Sequence, residues 1–90
     1  MGDVLTGHTA VVVESIRFNR KETRWEWTAR DPETGTLYFG TESPVMYRPG
    51  ELSEGDRGVI LFYEDRSTQP ARTWHTLVSQ IRAEIILSRR

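Results

Sequence analysis

The sequence predicts a mainly β domain, a small antiparallel barrel or rolled sheet of about five strands. Three observations carry that expectation. Short runs rich in Val, Ile, Thr and aromatic residues recur between clusters of Gly, Pro, Asn and Asp, as strands recur between turns. Thr23 to Arg30 alternates strictly, with Trp25, Trp27 and Ala29 on one side and Arg24, Glu26, Thr28 and Arg30 on the other. Arg57 to Glu64 is apolar on both sides, Val59, Leu61 and Tyr63 against Ile60 and Phe62, which places it centrally with cover above and below.

Each element follows from its residues. Residues 1–8, with Gly2 and Gly7 and no period, read as a flexible N-terminal arm, and residues 9–90 as a single small domain. Thr9 to Phe18, "TAVVVESIRF", lacks Gly and Pro and is the first strand. Val11 and Val13 share a face that Ile16 and Phe18 reach only if one residue is inserted near Glu14-Ser15, so a β-bulge is expected there. Asn19 to Glu22 is a hairpin loop that leads into the tryptophan strand. Asp31-Pro32-Glu33-Thr34-Gly35 is a tight turn, with Pro presetting φ and Gly accepting a positive φ.

Thr36 to Gly40 is the third strand, with Leu37 and Phe39 sharing a face. Thr41 to Gly55 is looser, broken by Pro44, Pro49 and Gly50, with Val45, Met46 and Tyr47 as an apolar anchor between the breakers. The fourth strand, Arg57 to Glu64, ends in a polar loop containing Pro70. The tail fits two periods. Leu77, Ser79, Ile81, Ala83, Ile85 and Leu87 alternate, while Trp74, Leu77, Val78, Ile81 and Ile85 fall on one helical stripe. β-Branched content favours strand over 73–81, and the residues after it are strand or a short helix.

Composition narrows the function classes. Ninety residues without an internal repeat make one domain with a small core. The absence of cysteine excludes disulfides, thiolate nucleophiles and thiolate metal sites. Twelve basic and thirteen acidic residues leave a net charge of −1, so no whole-molecule field draws the chain to nucleic acid or to anionic lipid. Eleven of the basic residues are Arg, which suits planar recognition of phosphate or carboxylate but is equally the mark of arginine-rich codon usage. The longest apolar run, Val59 to Tyr63, is far short of the roughly 20 residues that span a bilayer, and Met1-Gly2-Asp3 opens no basic-then-apolar leader. A cytoplasmic location without membrane contact is expected.

Two motifs resemble nucleotide chemistry and fail on their details. Gly50 and Gly55 have the spacing of a phosphate-binding loop, but Asp56 and Arg57 stand where that loop needs Lys and then Ser or Thr, and a strand follows in place of a helix. Arg57-Gly58 resembles the start of a ribonucleoprotein signature, yet Val59 and Leu61 occupy the positions where bases would stack. Gly55-Asp56 is therefore read as a reversal of the chain, and Gly58 as an entry under close packing. Taken together, "TAVVVESIRF", "DPETGTLYF" and "LSEGDRGVILFYE" resemble small bacterial β-barrel domains of unknown function, over residues 9–64. The resemblance implies a barrel more SH3-like than OB-like. It transfers no functional residue.

Candidate sites are few. His8 and His75 are the only histidines, no carboxylates gather around them at ligand spacing, and no nucleophile motif is present, so neither catalysis, a metal nor a cofactor is expected. The expected role is a non-enzymatic protein-binding or assembly module, with Tyr38, Tyr47, Tyr63 and Trp74 as partly exposed groove residues. A C-terminal strand left unpaired would also serve homodimerisation. The alternative is weak single-stranded nucleic-acid binding, with Arg24 and Arg30 on phosphates and Trp25 and Trp27 under bases. Glu26, between the two arginines, weakens that track.

Overall fold

Strand β1 (Asp3–Asn19) is longer than any one partner can pair, and the fold is built on that excess. Its first part pairs with β4 (Arg57–Asp65) and its second with β2 (Arg24–Arg30), both antiparallel, with Val12 paired on both sides. Strand β3 (Leu37–Glu42) continues from β2, and β5 (Arg72–Ser79) from β4. The result, in a computed structural model that describes residues 2–47 and 51–89, is one five-stranded antiparallel sheet in the order β3-β2-β1-β4-β5, curled into a half-barrel. Helix α1 (Gln80–Ser88) closes the chain.

The register slips between Val13 and Ser15, so Glu14 is the inserted residue. That is the expected bulge, and it returns Ile16 and Phe18 to the face of Val11 and Val13, opposite Trp27 and Trp25. The inner face then packs Val11, Val13, Trp27, Ala29, Ile60 and Leu77 into the main core, with Tyr47 and Leu52 sealing it from the connecting segment. Gly55, at φ +87°, turns the chain into β4, with its amide on the Val13 carbonyl at 2.8 Å. Pro49 and Gly50, expected as breakers, lie outside the described residues.

Both faces of β4 are covered, as its sequence requires. Ile60 faces the core, while Leu61 is buried with Val78 beneath Ala83 of α1, with Val59, Tyr63, Ile86 and Leu87 packed around them. The tail thus divides where its two periods compete. It is strand to Ser79, whose hydroxyl accepts the Arg82 amide at 3.2 Å and caps the helix, and helix thereafter. Once β5 has paired, the outer side of β4 still needs an apolar cover, and a helix folding back supplies it.

Two expectations need correction. Of the expected loose arm, residues 3–8 are strand: Asp3 to His8 pair with β4 from Asp65 to Leu61, and Gly7 sits opposite Phe62, after a second register slip. Val45 does not anchor its loop and is fully out in solvent; Met46 and Tyr47 do the packing. On β3, Leu37 and Phe39 share a face as expected; it is the outer one, and Tyr38 and Gly40 turn inward. Among the described residues no helix is long and apolar enough to cross a membrane.

Candidate functional site

An open sheet has two edges, and in this one they face each other. Four successive antiparallel pairings make β3 and β5 run in the same direction, and the curl brings their Cα atoms within 8 Å. No backbone ladder joins them. Side chains bridge the seam instead, and each occupies the place that a neighbouring strand's peptide group would take.

Glu42, the last residue of β3, carries the largest share. Its Oε2 accepts the Trp27 indole N–H at 2.9 Å and the Leu77 amide at 3.3 Å, and its Oε1 accepts the Thr76 hydroxyl at 2.8 Å. The Leu77 carbonyl accepts the Tyr47 hydroxyl at 2.6 Å. Burial, with Glu42 and Glu51 nearby, pushes the Tyr47 phenol far above its usual 10.0, so it stays a donor. Nearer the start of both strands, His75 Nε2 lies 2.9 Å from the Phe39 carbonyl, which fixes that nitrogen as the protonated one. Inside the seam the His75 ring meets Trp27 and Phe62, and Phe62 meets Tyr38, with centroids 5.7–6.1 Å apart.

These contacts also establish which backbone groups point off each edge. In an antiparallel strand the N–H and C=O of one residue point the same way, and alternate residues share that direction. Leu77 points both groups off the sheet, so His75 and Thr73 do as well. Phe39 offers its carbonyl to His75, so Leu37 and Thr41 follow it. The described hydrogen bonds leave the N–H groups of Phe39, Thr41, Thr73 and His75 without a protein acceptor.

Outside the seam, Trp74 is 41% exposed and stacks on Tyr63 with centroids 4.3 Å apart and planes 11° from parallel. Two shallow clefts meet at Thr73, Trp74 and His75. One, of about 330 Å³, reaches Thr6, Phe62 and Tyr63; the other, of about 410 Å³, reaches Gly40, Thr41 and Glu42. Phe39 stands 72% exposed across the seam from this pair of clefts, beside a wider recess on the outer face of β1–β3.

Of the four expected groove residues, Tyr63 and Trp74 come together at this surface, and Tyr38 lies on the inner side of the same seam. Tyr47 is a core residue, only 6% exposed, and its hydroxyl is spent on Leu77. The four nucleic-acid candidates do not share a surface. Trp27 is fully buried, and Trp25 packs edge-on between Phe18 and Tyr47 on the inner face. Arg24 and Arg30 project from the outer face and are held by Glu26 at 3.4 Å and Glu14 at 2.7 Å.

Phe39, Glu42 and His75 are the residues that sequence reasoning passed over. A period-2 reading of β3 that follows Tyr38 and Gly40 inward also carries Glu42 inward, and a carboxylate on a core face is itself a signal. Among the described residues no three His, Asp or Glu side chains gather to hold a metal ion. The seam offers unpaired amides, flat aromatic surface and one carboxylate. No protein-family model, curated protein or solved structure matches the chain.

Proposed function

We propose that this chain is a non-enzymatic protein-binding module that takes an extended segment of its partner beside Trp74. The observation that supports this is a large, exposed aromatic ring next to a strand edge whose amides have no acceptor. Extended peptides bind in this way elsewhere, with main-chain hydrogen bonds supplying affinity and flanking pockets supplying selectivity. A stacked Tyr63 holds Trp74 in one orientation, so little rotamer freedom is lost on docking.

The test is selection from a displayed library of random peptides, with binding repeated at about 0.05 and 0.5 M salt. Enriched peptides should hold at both salt concentrations and lose binding to Trp74→Ala. Failure to enrich any peptide, together with oligonucleotide binding that collapses at the higher salt, would reverse the reading in favour of nucleic acid.

A further inference from the structure

We infer that the β3–β5 seam is a latched insertion site for one extended, apolar segment of a partner protein, which enters antiparallel to both edges with a basic residue at its N-terminal end. This rests on the protein-binding reading above and names its occupant.

The direction comes from the fold. Because β3 and β5 run the same way, a single strand placed between them is antiparallel to each, and it would complete the curl of the sheet. The hydrogen-bonding groups come from the alternation, with Phe39 and Thr41 on one side and Thr73 and His75 on the other. Side-chain preference comes from what flanks the gap. Outward-pointing residues of the guest would lie between Phe39 and Trp74, and inward ones against Tyr38 and Phe62, so both faces of the guest are apolar.

Charge fixes the end. Glu42 accepts three hydrogen bonds from neutral donors, and among the described residues no Lys or Arg lies within ion-pair distance of it. It stands at the end of the seam where β3 finishes, which is where an antiparallel guest begins. A Lys or Arg there would meet a carboxylate that pairs with no cation among the described residues.

The latch follows from the spacing. A strand needs about 9.5 Å between its two neighbours, twice the usual interstrand distance. The edges approach within 8 Å, so admission requires release of Glu42 from Thr76 and Leu77 and of His75 from Phe39. The same side chains that exclude a guest in the closed state protect two strand edges from indiscriminate pairing.

The experiment is a titration of the whole isotope-labelled chain with three blocked hexapeptides, followed by amide exchange and by the three indole signals. One peptide has Lys before alternating Val and Ala, the second carries the Lys at its C-terminal end, and the third has Glu in place of Lys. The first should slow exchange at Phe39, Thr41, Thr73 and His75, shift the Trp74 indole, and bind about fivefold more tightly than the others, the size of one half-exposed ion pair. Glu42→Gln should abolish that preference, and the comparison of the first two peptides on the unaltered chain stands if the variant does not fold. Equal binding of all three, or no edge protection with any, overturns the insertion. Shifts at Trp74 without edge protection overturn it while leaving the protein-binding reading intact. Edge protection that grows with protein concentration alone overturns it in favour of a second copy of this chain.

Discussion

Gly40 is the position where the packing of the half-barrel is most exposed to a single methyl group. A Cβ built there would lie 2.6 Å from Cζ2 of Trp27 and 3.0 Å from Cε2, whereas carbon atoms rest about 3.5–4.0 Å apart. The indole has nowhere to retreat. It is 1% exposed, and its N–H is held at 2.9 Å by Glu42. Overpacking of this kind costs about 1–3 kcal/mol. A loss of that size lowers the melting temperature of a 90-residue domain by roughly 5–20 °C. Gly7→Ala is the matched control, because nothing lies within 4 Å of its Cβ position and its backbone is outside the left-handed region. The control should be neutral, or more stable by up to about 1 kcal/mol through the unfolded chain. Urea unfolding of both variants measures the difference, and the Trp27 indole proton should move only in Gly40→Ala. If the two variants unfold within about 0.5 kcal/mol of each other, the indole does not lie against Gly40 and the described core is wrong.

Three further outcomes are expected. Tyr47→Phe leaves the Leu77 carbonyl without its buried donor and should cost about 1–3 kcal/mol in urea at neutral pH. The raised phenol of Tyr47 contributes stability that is complete below pH 10.0 and is lost as pH rises above it, so alkaline unfolding should be blunted in the same variant. At the acid end, hydrogen bonds from the amide of Glu33 and then that of Thr34 hold the Asp31 carboxyl below its usual 3.8, with Thr9 adding a third. That stability is present above 3.8 and is lost as pH falls through the depressed value. The urea midpoint should therefore drop between about pH 5 and about pH 2, and drop less in Asp31→Asn.

Much of the fold was legible because local rules and tertiary packing agree. The Thr23–Arg30 alternation places Trp27 and Ala29 in the core, and the double-sided run of β4 forces a cover that α1 provides. The bulge at Glu14 was readable because four apolar residues could share one face in no other way. The N-terminal strand was not legible, because Gly7 marks a loose end by composition, while in the fold it stands opposite Phe62. The site was half legible. Partly exposed aromatics can be guessed from amphipathic character, which is why Tyr63 and Trp74, stacked at the surface, were among the expected residues. The seam depends on curvature, and curvature brings Glu42 to Leu77 and His75 to Phe39 across 35 and 36 positions that no local pattern connects.

The double duty of β1 has a consequence for how the molecule comes apart. Its hand-over at Val12, paired at once to Arg30 and Arg57, leaves no seam along the chain at which the β2–β3 half can be parted from the β4–β5–α1 half. The two halves share Val12 and one core, in which Trp27 and Ala29 of the first pack with Ile60 and Leu77 of the second. Loss of either half would expose the core of the other, so the domain should unfold as one cooperative unit. The amides around Val11 to Val13, bonded at this hand-over, should be the last to exchange with solvent.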